Sequence, residues 1–314
     1  MTPVIETTGL RKIFRDFWRR PTVCAVDSLN LTIRPGEVFG LLGPNGSGKS
    51  TTIKMLLGLL HPTAGTVSVL GRPPSDILTK HRIGYLPENT HLHRFLTPRE
   101  TLRYAGALFG LDRRTCRDRG EALLEMTDLV DAANRPIDGF SKGMARRVGI
   151  AQALINAPDL LILDEPTSGL DPVACREVKN LVRALADSGV TVLMTSHLLA
   201  DVEHVCDRVA IMHRGLIHAE GPVDDLLVRT DTVRFLIANL SDADTEPLRD
   251  ELAARLGRAV TVDHPTVSLE SYFLNVVARA SGRSTVLTHF RPAPFLQKPG
   301  AAGPAAGSAE REPA

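Results

Sequence analysis

The stretch Val38–Thr52, VFGLLGPNGSGKSTT, restricts what this chain can fold into more than any other. Val38–Leu42 is an apolar run that reads as a buried strand. A glycine-rich turn follows, and a helix opens at Lys49. Gly43-x-x-x-x-Gly48-Lys49-Ser50 matches the phosphate-loop pattern, in the strand, turn and helix context that the pattern requires. Glycines 43, 46 and 48 allow successive backbone N–H groups to face a polyphosphate, and the helix aims the positive end of its dipole at the same point. Pro44, Asn45, Ser47 and Thr51 complete the expected cradle; Lys49 is placed for the β- and γ-phosphates and Ser50 for Mg²⁺. The competing reading is a glycine-rich turn with no ligand. The coincidence of strand, loop, Lys-Ser and helix weighs against it.

A chain of 314 residues with 43% hydrophobic content can bury a sizeable core, which predicts one large domain or two. The formal net charge is +1, so no overall field favours nucleic acid, and none is expected as a partner. Cys24, Cys116, Cys175 and Cys206 are widely spaced, which argues against a zinc site and a disulfide framework and fits a reducing cytosol. The N-terminal MTPVIETTGLRK lacks an apolar signal core, and no window approaches the roughly 18–20 apolar residues that span a bilayer. Any work at a membrane then needs a separate spanning protein.

Val4–Ile33 alternates short apolar runs with charges and predicts antiparallel strands wetted on one side. Within it, RDFWRRPTV sets Phe14, Phe17 and Trp18 among arginines just upstream of the phosphate loop; an aromatic face there suits a planar base, and an amphipathic loop over the strand edge is equally open. A helix is expected over Lys49–Leu60, then strands in TVSVLG and RIGYLP. From about 91 to 156 the pattern turns helical, in PRETLRYAGALFG, TCRDRGEALLEMTDLV and KGMARRVGIAQALI, as an insert in the α/β core. DLLILDEP and VTVLMTS read as strands buried on both faces, with a helix over Pro172–Asp187 between them; RVAIMHRG and GLIHAEG continue the doubly wound alternation.

Together with the phosphate loop, the ordered motifs Leu160–Glu165, Ser141-Lys142-Gly143-Met144, Ser168–Asp171, Ile83–Glu88 and His197 make residues 4–225 resemble the ATP-binding cassette ATPases, the motor subunits of ABC transporters. The resemblance implies ATP and Mg²⁺ as ligands and a homodimer that sandwiches two nucleotides. Each nucleotide is held by the phosphate loop of one subunit and the signature of the other. It makes Asp164 a magnesium residue, Glu165 the general base and His197 the γ-phosphate switch, with Lys49 in the catalytic set. Ser141 and Gly143 match the signature usually written LSGGQ, an N-capped helix start able to hold an anion across the dimer. Lys142 and Met144 depart from that form, although an SKGM version is familiar in bacterial cassettes that export drugs and similar cargo. Asp171 falls in the loop that reaches across the same interface. Glu88 stands where the family most often has glutamine; its oxygen still suits magnesium but adds negative charge. Phe14 best matches the aromatic that stacks on adenine, with Phe17 and Trp18 as rivals.

The implied fold is a P-loop NTPase α/β core with an N-terminal antiparallel β-subdomain, the helical insert and a small C-terminal α+β appendage. The expected boundaries are 1–225 for the cassette, 226–280 for the appendage and 281–314 for a Pro-, Ala- and Gly-rich disordered tail. In the appendage, VRFLIANL and AVTVDHP are expected strands and EPLRDELAARLG and SLESYFLNVVARA helices. The resemblance further implies an ATPase that drives a separate integral-membrane permease, as an exporter, from the cytoplasmic face of the membrane. The alternative is a cassette ATPase without a permease, acting on ribosomes or chromosomes. One phosphate loop and no sustained heptads argue against that alternative.

Overall fold

The computed structural model describes residues 2–18, 20–227, 242–257, 260–262 and 290–298. The strands are β1 (Ile5–Arg15), β2 (Pro21–Ile33), β3 (Val38–Leu42), β4 (Ala64–Val69), β5 (Ile83–Leu86), β6 (Leu160–Leu163), β7 (Thr191–Ser196), β8 (Arg208–His213) and β9 (Leu216–Pro222). The helices are α1 (Lys49–Leu56), α2 (Ile77–Lys80), α3 (Pro98–Leu108), α4 (Arg113–Met126), α5 (Lys142–Leu154), α6 (Pro172–Asp187), α7 (Ala200–Glu203), α8 (Val223–Leu227) and α9 (Asp242–Leu256).

Alternation in the N-terminal segment gives the expected antiparallel sheet, ordered β2-β1-β4, with Ile5, Leu10, Leu29, Leu31 and Ile33 turned inward. Strands β3, β6 and β7 are buried at every position, including the polar Thr191, Thr195 and Ser196 of β7, and lie inside a second sheet, ordered β5-β6-β7-β3-β8-β9. Successive side chains of a strand point to opposite faces. Leu161 and Leu163 therefore join a core with α3, α4, α5 and α6, while Leu160 and Ile162 join a second core with α1 and the N-terminal sheet. The pairs from β5 to β8 are parallel, but β8 and β9 are antiparallel. Only Arg214 and Gly215 separate these last two strands, at φ 49° and 83°, the left-handed pair of a two-residue hairpin turn.

The helical insert forms as three helices. α3 begins on a capping box: Thr97 accepts from the Glu100 N–H, and the Glu100 carboxylate accepts from the Thr97 N–H at 3.0 Å. α1 stops at Leu56, short of the expected Leu60, because Gly58 turns left-handed at φ 65° and an added Cβ there would meet the Pro74 carbonyl oxygen at 2.6 Å. No described helix is long and apolar enough to cross a membrane.

Beyond Leu227, α9 contains the expected helix, but no described side chain in 244–256 is buried. Val260–Val262 carry no strand; the remainder of that expected strand, VRFLIANL and the helix in SLESYFLNVVARA lie outside the described residues. The tail expectation needs a correction at 290–298. Ala293 and Leu296 are buried in the core shared with the helical insert, and Phe290 and Phe295 pack against it. The Arg119 guanidinium lies 4.9 Å from the centroid of the Phe295 ring. Lys298 N–H donates to the Ser188 carbonyl at 2.8 Å, and its Nζ meets Asp159 Oδ1 at 2.7 Å. Two phenylalanines and a leucine within FRPAPFLQK supply the apolar anchors that the surrounding Pro-Ala-Gly composition obscures.

Candidate functional site

The phosphate loop leaves the C-terminal end of β3, between β7 and β8. An added Cβ on Gly43 would meet the Met212 carbonyl oxygen at 2.1 Å, and one on Gly48 the Ala25 carbonyl oxygen at 2.4 Å, so both positions exclude any side chain. Gly215 N–H donates to the Ser47 carbonyl at 2.8 Å and pins the loop to the β8–β9 turn. Lys49 is buried; its Nζ donates to the Gly43 carbonyl at 2.7 Å and the Pro44 carbonyl at 3.3 Å. A cleft of about 680 Å³ opens here, lined by Asn45, Gly46, Ser47, Gly48, Ser50 and Thr51 of the loop.

Across the cleft from the loop, Glu165 follows β6 in a left-handed backbone conformation, φ 48°. A non-glycine residue there costs about 1–3 kcal/mol, and such strain concentrates at functional sites. Three groups hold it. Thr195 Oγ1, on β7, accepts from Glu165 N–H at 2.9 Å and donates to Asp164 Oδ1 at 2.7 Å. His197 Nδ1 lies 2.7 Å from Glu165 Oε2, and Lys49 Nζ lies 3.5 Å from Glu165 Oε1. Glu88, from the loop after β5, completes the wall. Ser47 Oγ and Glu165 Oε1 are buried with no hydrogen-bond partner among the described residues. A glycine cradle, a lysine, orphaned polar atoms and oxygen donors at Ser50, Glu88 and Asp164 fit a magnesium-bound polyphosphate.

The structure brings ten of the expected residues together in one cleft wall, but not all of them. Asp164 stands behind Glu165, bonded to Thr195. Ser141 N-caps α5 by accepting from Met144 N–H at 3.2 Å, and Gly143 lets α5 approach α6, since its Cβ would sit 3.0 Å from that of Ala174. Asp171 caps α6 through Ala174 N–H at 2.9 Å. Lys142 Nζ lies over Gly169, 2.7 Å from where a Cβ would be. These signature-side groups lie outside the residues that line the cleft. Phe14 does not line the cleft either; it pairs across the hairpin with Val23, which does, and carries Lys12 Nζ 5.5 Å from its ring centroid. Phe17 and Trp18 meet edge to face at the exposed hairpin tip. Sequence reading missed Val23, Cys24, Ala25, Ser168 and Arg214 in the lining, and Thr195 behind it. Only Ser168 carried a signal, by its place in a motif.

Comparison with known proteins places this geometry. The family described as ABC transporter matches residues 26–168. An uncharacterized ABC transporter ATP-binding protein of Synechocystis sp. is 38% identical over 299 residues, covering 86% of this chain and 84% of its own. A Nod factor export ATP-binding protein I of Burkholderia lata is 38% identical over 276 residues, covering 85% and 88%. Among solved structures, cbiO1 of Clostridium perfringens, part of the ABC transporter complex cbiONQ, superposes with a TM-score of 0.65 at 25% identity, covering 82% of this chain and 97% of its own. A dimeric cassette in a post-hydrolysis state bound to ADP and Pi gives 0.63 at 25% identity, covering 70% and 98%.

Proposed function

Because this chain belongs to the ABC transporter ATP-binding proteins, whose cassettes hydrolyse ATP and dimerise, we propose that it powers an exporter, closing as a homodimer on two ATP molecules against a separate permease. The observation that carries the reading is Glu165, set by a strained backbone between His197, Lys49 and Thr195 at the mouth of a phosphate cradle.

In this reading the loop N–H groups and Lys49 bind the phosphates, and Ser50 and Glu88, with Asp164 behind them, would hold magnesium. Bound magnesium supplies neutralising charge to the phosphate oxygens. Glu165 Oε1, which makes no hydrogen bond among the described residues, takes a proton from the attacking water, and His197 orients the carboxylate through its other oxygen. Ser141 and Gly143 complete the partner subunit's site, not their own, consistent with their position outside this cleft. Export is supported by the relatives named for Nod factor export and by the Ser-Lys-Gly-Met signature. The permease socket is read at 92–96, beside Glu88: Leu92 and Leu96 are half-buried, whereas Phe95 is 77% exposed, with His93 beside it and Tyr104 against the same His93. The protein then sits at the cytoplasmic membrane face through its permease.

The test is Glu165→Gln. Turnover is expected to fall at least about a hundredfold, and ATP is expected to trap the protein as a dimer on a sizing column. Turnover within a few-fold of the parent would remove Glu165 from the role.

A further inference from the structure

Three carboxylates, Glu88, Asp164 and Glu165, converge beside the place where a polyphosphate binds. Lys49 answers Glu165 directly. A second cation stands on the other side: Arg146, on α5, five residues beyond Ser141, with only 7% of its surface exposed. Its guanidinium donates to the Pro87 carbonyl at 3.0 Å, the Glu88 carbonyl at 2.9 Å and Thr90 Oγ1 at 3.3 Å. One turn on, Gly149 lets the same helix face close down, because a Cβ there would meet Leu86 Cδ1 at 2.7 Å and Thr90 Cγ2 at 2.8 Å. The contact between α5 and the 86–90 loop is thus built at two positions of one face. Burial works against the charge on Arg146 and lowers its pKa, while the nearby Glu88 and Asp164 carboxylates oppose that shift. Among the described residues Arg146 forms no ion pair, so its charge acts through space on the cleft while its donors hold backbone.

We propose that Arg146 is a positioning residue that fixes the backbone of Glu88 and offsets its charge, so that a cleft walled by carboxylates still accepts a polyphosphate. The inference deepens the reading of this cleft as an ATP site and rests on it. It separates two contributions of one side chain: a charge, felt by any bound polyanion, and a fork that keeps the Glu88 loop tied to the helix opening on Ser141.

The experiment measures ATP affinity with magnesium chelated, using a fluorescent ATP analogue, in four full-length proteins: the parent, Arg146→Gln, Glu88→Gln and the double variant. Arg146→Gln is expected to weaken binding about fivefold at low salt, with the difference shrinking as salt rises. Glu88→Gln is expected to strengthen binding by a similar factor, so that the double variant returns to within about twofold of the parent. A double variant that binds as weakly as Arg146→Gln alone, or a loss insensitive to salt, would overturn the charge role. Arg146→Lys keeps the charge without the fork: its magnesium-free affinity is expected to stay within about twofold of the parent while turnover falls about tenfold, because one ammonium cannot span three acceptors. Unchanged turnover in that variant would overturn the positioning role. If the cleft did not bind ATP, the parent itself would show no binding, an outcome distinct from any of these.

Discussion

Thr195 does more at this site than its place in an apolar strand suggests. Its buried hydroxyl accepts from the Glu165 N–H and donates to Asp164, so a single side chain sets two carboxylates and supports a left-handed backbone between β6 and the following turn. Thr195→Val keeps shape but leaves the Glu165 N–H without an acceptor, which costs about 1–3 kcal/mol. The expected result is a lower denaturation midpoint and turnover reduced about tenfold, with ATP affinity held because the loop and Lys49 are untouched. Equal turnover would mean that the backbone at Glu165 is fixed by other contacts. Lys49, Glu165 and Glu88 were legible in the sequence because each stands in a contiguous motif. Thr195, Arg214 and Cys24 were not, since Thr195 comes behind the cleft wall, and the other two into it, only through the pairing of β3 with β7 and β8 and through the hairpin packed beside it.

At the level of elements, legibility followed period. The fully buried β3, β6 and β7, and α6 between its N-cap Asp171 and Asp187, formed where their patterns ended. The direction of β9 and the end of α1 were set instead by Gly215 and Gly58, glycines whose left-handed backbones override the run of apolar residues around them. The segment 90–97 has no regular structure until Thr97 caps α3, yet it presents Phe95 outward. A side chain this exposed contributes little to folding, so Phe95→Asp is expected to change stability by less than about 0.5 kcal/mol and to leave basal ATP hydrolysis intact. Co-purification with the permease is expected to be lost. An unfolded variant would make Phe95 a packing residue, and a normal complex would move the socket elsewhere.

Across the whole molecule, 290–298 joins parts that are far apart in sequence: Arg119 on α4, Asp159 ahead of β6 and Ser188 after α6. Composition hid this, because three apolar anchors inside a Pro-Ala-Gly tract leave no period to read. Leu296 is fully buried, and Leu296→Ala is expected to destabilise the protein by about 2–5 kcal/mol, read as a fall in melting temperature; an unchanged value would show that the segment rests on the surface without gripping it. Although burial alone would raise the pKa of Asp159, hydrogen bonds from Lys298 and Arg82 hold it below the ordinary range. The contribution of these contacts is therefore complete above about pH 4 and is lost as pH falls through the lowered value. Synthesis runs from the N-terminus, so this segment leaves the ribosome after every element it grips. Its contacts with Arg119, Asp159 and Ser188 are therefore the last to form, by the closure of a very long loop.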